Sequence, residues 1–143
     1  MRLTSYTDYS LRVLMYLAAK PDGLSTIREI AGAYGISHNH LMKVVFELGQ
    51  YGLLENTRGR SGGIRLARSA DEIRIGEVVR FTESDAALVE CFGAGNVCAI
   101  TAPCRLKGAL NQAMETFLTV LDRYTLADLV RGNRPLVRAL TTA

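Results

Sequence analysis

The sequence predicts a mainly α-helical protein with one small β-hairpin: a winged helix-turn-helix domain followed by a long C-terminal dimerisation helix. Three features carry this. Two helix-length segments meet at Tyr34-Gly35-Ile36-Ser37. A basic, glycine-rich run, Arg58-Gly59-Arg60-Ser61-Gly62-Gly63, separates two short apolar stretches. From Leu106 to Tyr124 apolar residues recur in alternating steps of four and three, the period of a helix seam.

Each element follows from local pattern. Between Ser5 and Ala19, Tyr6, Tyr9, Leu11, Val13, Leu14, Tyr16 and Leu17 suit a well-buried helix that stops at Lys20-Pro21-Asp22-Gly23. Thr26 with Glu29 forms a capping box for a second helix carrying Ile27, Ile30, Ala31 and Tyr34. Gly35 breaks it, since glycine enters a left-handed turn without steric cost. Ser37 then caps a third helix with inner face Leu41, Val44, Val45 and Leu48, ending near Gly49 and Gly52. Leu53-Leu54 and Ile64-Arg65-Leu66 form the hairpin strands around the basic tip.

Ile73, Ile75, Val78, Val79 and Phe81 predict a helix over 73–83. Residues 91–104, with Gly93, Gly95, Asn96 and Pro103, predict an irregular loop. In the helix from Leu106 to Tyr124, Leu110, Ala113, Phe117 and Val120 continue the seam, and Met114, Leu118 and Leu121 widen it. That apolar surface serves more than one neighbour, and Leu110, Met114, Phe117, Leu121 and Tyr124 are the candidate dimer contacts. Thr125 with Asp128 caps a short turn through Val130, and the tail after Arg131 is expected to be loosely held. The expected division is 1–83 for the winged helix, 84–105 for the cysteine loop, and 106–143 for the dimerisation helix and tail.

The chain's 143 residues, 48% hydrophobic and 22% charged, suit one ordinary globular domain. No apolar run is long enough to span a membrane, and Arg2, Asp8 and Arg12 interrupt any signal-like start. A cytoplasmic location is expected. Net charge is +3 overall, but residues 1–68 hold nine Lys/Arg against five Asp/Glu, and residues 69–143 eight against nine. The positive half is the helix-turn-helix half, as a nucleic-acid footprint would be; a solvated basic face gives the same asymmetry.

The third helix would present Ser37, His38, Asn39, His40 and Lys43 at its start. Asn pairs with adenine, Lys reaches guanine or phosphate, and a free helix N-terminus holds a phosphate. Arg58, Arg60 and Arg65 on the wing suit close approach to a DNA groove. Catalysis lacks support: no phosphate-binding loop occurs, and both histidines, His38 and His40, lie in the helix-turn-helix.

Cys91, Cys98 and Cys104 fall within fourteen residues. Their spacing is too wide for paired zinc knuckles. Three thiols in one loop suit an iron–sulfur group, with one coordination position left open, or redox-active or inert free cysteines. On the residues alone, a metal- or redox-binding protein that never acts on DNA remains the alternative.

Several segments together resemble a known family. They are Met1-Arg2-Leu3-Thr4-Ser5, Tyr34-Gly35-Ile36-Ser37, Arg58 to Leu66, the three cysteines, and Tyr124-Thr125-Leu126-Ala127-Asp128-Leu129-Val130. The family is the iron–sulfur winged-helix transcriptional regulators of the IscR, RirA and NsrR type, and the resemblance spans residues 1 to about 135. Thr7-Asp8-Tyr9, Ser37-His38-Asn39-His40, Ile73-Arg74-Ile75-Gly76, Cys98 to Thr101 and Pro103 to Lys107 look most like its nitric-oxide-sensing repressors. The resemblance implies a homodimer that binds a palindromic operator in double-stranded DNA. Its affinity would be controlled by a cluster, 4Fe–4S or alternatively 2Fe–2S, on Cys91, Cys98 and Cys104. Lys107 stands where one branch places a histidine ligand. Asp8 stands where the nitric-oxide-sensing branch uses an aspartate from the other subunit, with Arg12 as its orienting partner. Six residues separate the first two cysteines, against the five usual in that branch, and the glycine-rich stretch can absorb the extra one. The alternative signal within the family is iron availability or redox state.

Overall fold

The computed structural model describes residues 2–20, 23–83 and 87–141. Met1, the Pro21-Asp22 part of the helix stop, residues 84–86 at the expected domain boundary, and 142–143 of the tail lie outside them.

Helix α1 (Ser5–Ala19) is the spine. Thr4 caps it, its hydroxyl accepting the Thr7 N–H at 3.2 Å. Its buried face, Thr7, Ser10, Val13, Leu14 and Leu17, meets four other helices. Helix α2 (Ile27–Tyr34) opens with the expected reciprocal capping box between Thr26 and Glu29 and ends at Gly35, whose φ of +64° is left-handed. Helix α3 (His38–Gln50) buries Leu41, Val44, Val45 and Leu48 against α1 and α2.

Strands β1 (Leu54–Thr57) and β2 (Gly63–Leu66) pair antiparallel, with Leu54 opposite Leu66 and Thr57 opposite Gly63. A third partner completes the wing. Ser25 and the buried Ile64 exchange both backbone hydrogen bonds, at 3.0 and 2.7 Å. The start of α2 is thereby fixed to the hairpin. Gly63 is required there, because a Cβ would lie 2.7 Å from the Ser25 carbonyl oxygen.

Helix α4 (Ile75–Thr82) packs on α1. A polar cluster locks the seam: Glu83 accepts the Thr4 N–H at 2.7 Å, the Thr4 hydroxyl at 2.9 Å and the Thr7 hydroxyl. Thr82 Oγ1 lies 2.9 Å from the Thr7 hydroxyl and competes with Glu83 for its one proton. Leu14, Leu17, Ile30, Leu41, Leu48, Leu53 and Ile73 are essentially fully buried, each stabilising the fold by roughly 1.5–3 kcal/mol relative to exposure.

Helix α5 (Arg105–Leu121) buries no residue fully. It stops three residues short of the expected end, because Tyr124 gives its carbonyl to the Ile75 N–H at 3.0 Å and Thr125 caps the next helix. Helix α6 (Leu126–Val130) has the expected capping box. The expectation of a loosely held tail is corrected. Residues Arg134–Thr141 form α7, which packs against α1 and α2 with Leu140 buried. The Asn133 carboxamide oxygen starts it by accepting the Leu136 N–H at 3.2 Å. Leu136, Val137 and Leu140 give this short helix one apolar face, and burying that face outweighs terminal fraying. Among the described residues no helix is long and apolar enough to cross a membrane.

Candidate DNA-reading face and cysteine segment

The buried residues of α3 lie along one side, which leaves Asn39, Met42, Lys43 and Phe46 on the opposite side. The candidate reading residues divide among three places. Ser37 occupies the N-cap position without a side-chain cap hydrogen bond, so its role is not confined to capping, and its helix start suits a phosphate. His38 lines a groove shared with Arg28, Asn56 and Thr57, between α2 and the wing. Asn39, His40 and Lys43 line a cleft of about 400 Å³ with Tyr6 and Tyr9 of α1. His40 stacks on Tyr9, ring centroids 6.3 Å apart and planes at 27°. Lys43 lies 3.9 Å from Glu47, one turn on.

At the wing tip Arg58 and Arg60 are exposed, and among the described residues no ion pair engages either. Arg65 is different. It lies within β2, directly opposite Glu55, and its guanidinium pairs with that carboxylate. The tip pair therefore carries the uncompensated charge. Arg28 was not identified from sequence. It is exposed in the first turn of α2, beside His38, and the only sequence signal for it was a cation just inside the Thr26 cap.

The cysteine segment is irregular, as expected, with one 3₁₀ turn over Glu90–Phe92 that contains Cys91. Asn96 and Thr101 shape its centre. The Asn96 carboxamide oxygen accepts the Cys98 N–H at 3.0 Å, its amide donates to Thr101 Oγ1 at 2.9 Å, and that hydroxyl donates to the Cys98 carbonyl at 2.8 Å. Cys104 sits at the N-cap position of α5. All three cysteines are free; Cys98 is exposed and the others half-buried. Free thiols are donors suited to an iron–sulfur group. Among the described residues, however, no three His, Cys, Asp or Glu side chains lie close enough to hold a metal ion.

Asp8 is engaged by Arg12 through two contacts, Nε to Oδ1 at 3.1 Å and Nη2 to Oδ2 at 3.0 Å. The Arg12 guanidinium lies 5.7 Å from the centroid of the Tyr34 ring, and the Tyr34 hydroxyl donates to the Arg12 carbonyl at 3.0 Å. Burial pushes the Tyr34 hydroxyl up to about 12, so it remains a donor. The carboxylate is thus aimed by a pair that reaches into the helix-turn-helix.

The candidate dimer residues also divide. Phe117 and Leu121, with Leu118, pack against the chain's own core. Leu110 and Met114 are half-buried, and Met114 lines a cavity of about 440 Å³ with Leu3, Val79 and Leu88. Tyr124, outside the helix, is exposed, as are Leu106 and Val120. The end of α5 is clasped to α4, because Arg80 donates twice to Asp122, at 2.7 and 2.6 Å. Those bonds hold the Asp122 carboxyl below its ordinary range.

A helix-turn-helix with a stitched wing, a free-cysteine segment and a half-covered long helix together define a winged-helix regulator of transcription. Residues 3–132 match the Rrf2 family, described as iron-dependent transcriptional regulators, and the chain belongs to that family. It is 55% identical over 142 residues to the HTH-type transcriptional regulator NsrR of Bacillus subtilis, covering 98% of this chain and 97% of that one. It is 54% identical over 138 residues to NsrR of Geobacillus kaustophilus, covering 95% and 94%. These relatives are named as regulators, not enzymes. Among solved structures, oxidised CymR of Staphylococcus aureus superposes with a TM-score of 0.71 at 25% identity, covering 92% of this chain and 97% of that one. IscR of T. potens superposes at 0.74 with 23% identity, covering 95% and 90%, which speaks to the fold alone.

Proposed function

We propose that this chain is a cytoplasmic transcriptional repressor that acts as a homodimer on a palindromic operator. An iron–sulfur cluster, 4Fe–4S rather than 2Fe–2S, would set its affinity and nitric oxide would be the signal. The named relatives support the class. One observation carries the sensing mechanism: the segment bearing three free cysteines follows Glu83, which is hydrogen-bonded to the first turn of α1, next to Asp8.

Cys91, Cys98 and Cys104 would hold the cluster with Asp8 of the partner subunit as the harder, more labile ligand. The cluster would supply iron open to nitric oxide. The rest is done by the protein. Arg12 orients Asp8, and the Tyr9–His40 stack joins the same turn to the recognition helix. A freed Asp8 would leave that turn less constrained, and the Tyr9–His40 stack would pass the change to α3. Two recognition helices must meet half-sites about 34 Å apart, so a small change at each α1 alters the fit at both. The exposed Leu106 and Val120 edge of α5 would form the dimer seam, with Leu110, Met114 and Tyr124 at its border. Ser37, His38, Asn39, His40 and Lys43 would meet bases and phosphates, and Arg58 and Arg60 the flanking groove. Arg65 would contribute less, being paired with Glu55.

The family's description as iron-dependent favours a second signal, iron availability, in which loss of the cluster rather than its nitrosylation is sensed. Anaerobic protein titrated with nitric oxide during a promoter-binding assay separates the two. Bleaching of cluster absorbance in step with release of DNA supports nitric oxide. Release only on iron chelation supports iron.

A further inference from the structure

The recognition helix carries an apolar surface that no contact described above uses. Met42 is 50% and Phe46 64% exposed, while Leu41, Val44, Val45 and Leu48 of the same helix are buried. Met42 and Phe46 are four residues apart, so they adjoin on the outward face. Their neighbours there are Asn39 and Lys43, with His38 and Arg28 toward the wing. Glu47 faces the cleft toward α1 and lies beside Lys43.

An exposed apolar pair rimmed by polar and cationic side chains suits an interaction surface. A neutral protein partner would not need the cationic and amide rim around this one. A polyanion that displays apolar groups inside a groove does fit it. The major groove of duplex DNA has one such group, the C5-methyl of thymine.

We propose that Met42, backed by Phe46 one turn further on, reads thymine methyl groups in the operator and so helps set its sequence. The inference rests on the reading of α3 as the helix that enters the major groove. The unbranched thioether of Met42 can adjust to a methyl group's position. Asn39 and Lys43 supply hydrogen bonds and charge, which do not distinguish thymine from uracil. The methyl contact is therefore separable from the rest of the interface.

The test uses the full chain, purified anaerobically, and a duplex it selects from a randomised pool. Each thymine is replaced in turn by deoxyuridine, symmetrically in both half-sites. Affinity is then measured for the wild type, Met42→Ala, Met42→Leu, Phe46→Ala and Lys43→Ala. At one position, loss of the methyl should weaken the wild type about fourfold per half-site, the value of one buried methyl-sized group. Met42→Ala should respond less than half as strongly, Met42→Leu should retain the response, and Phe46→Ala should blunt it. Lys43→Ala should weaken every duplex alike. A flat deoxyuridine scan for the wild type, or equal losses for wild type, Met42→Ala and Phe46→Ala, would overturn the proposal. So would unchanged DNA affinity in both alanine variants, which would assign the face to a protein partner. Failure to enrich any duplex would instead sink the DNA-reading role of α3 itself.

Discussion

Between Ser5 and Thr82 each helix turns a stripe of aliphatic residues into one shared core, whereas between Ala87 and Leu121 no residue is fully buried. The first region is held by its own packing. The second is held by local hydrogen bonds around Asn96 and Thr101, and by the inner edge of α5 with the Arg80–Asp122 clasp beyond it. A reading head must present fixed side chains to DNA, and a rigid core does that. A segment that responds to a signal must change at low cost, so it is drawn from the weakly packed part of the molecule. Their meeting point is the cluster of Thr4, Thr7, Thr82 and Glu83, after which the chain runs on toward the cysteine segment.

The largest test of this contrast is truncation of apolar residues in each region. Leu14→Ala should cost about 2–5 kcal/mol in urea unfolding, since Leu14 is fully buried. Leu106→Ala, at dilution where the protein is monomeric, should change stability by less than about 0.5 kcal/mol, because Leu106 is 65% exposed. Equal losses would mean that the regions are not packed differently.

A second test separates the two edges of α5. Val120→Glu should leave a folded monomer in sedimentation velocity, with its circular dichroism intact. Phe117→Glu should lose stability as well, because Phe117 packs on the core of its own chain and that apolar contact would be replaced by a carboxylate. A stable Val120→Glu dimer would place the seam elsewhere.

Much of this was legible beforehand, for physical reasons that differ by element. Capping at Thr26/Glu29 and Thr125/Asp128 is a local exchange of hydrogen bonds, so three-residue spacing reveals it. The α3 core face follows from period alone. The stitch between Ser25 and Ile64 pairs residues 39 apart, and no local pattern announces it. Helix α7 was missed because its stability comes from the surface of α1 and α2 beneath it, not from its own propensity. The seam of α5 is legible only in part for a similar reason. Period identifies apolar residues but not which neighbour covers them, so Phe117 and Leu121 could not be told from Val120. Arg65 looked equivalent to Arg58 and Arg60 until the register set it opposite Glu55.

The wing gives a smaller effect. Arg58→Ala and Arg60→Ala should each lower the slope of log affinity against log salt by about one. Arg65→Ala should lower it by less, because Glu55 already compensates that charge. Equal slopes for all three variants would remove the distinction between tip and strand.

The smallest effect concerns the junction. Burial works to raise the Glu83 carboxyl, but hydrogen bonds from Thr7 and Thr4 outweigh it and hold the group below the ordinary glutamate range. Its folded value is lowered, so its contribution is fully present above the ordinary glutamate range and is lost as pH falls through the folded value. Unfolding midpoints measured from pH 6 down to pH 3 should therefore fall more steeply for the wild type than for Glu83→Gln. Parallel curves would show that the junction carries no such linkage.

In the proposed function the cysteine segment governs a reading head that folds without it. Anaerobic operator affinity, measured with and without nitric oxide for the wild type and for Cys98→Ser, tests it most directly. The wild type should bind tightly, and nitric oxide should weaken that binding by at least tenfold. Cys98→Ser should keep the native fold and show a single affinity, unmoved by nitric oxide. A Cys98→Ser protein that binds tightly and still releases DNA on addition of nitric oxide would contradict it.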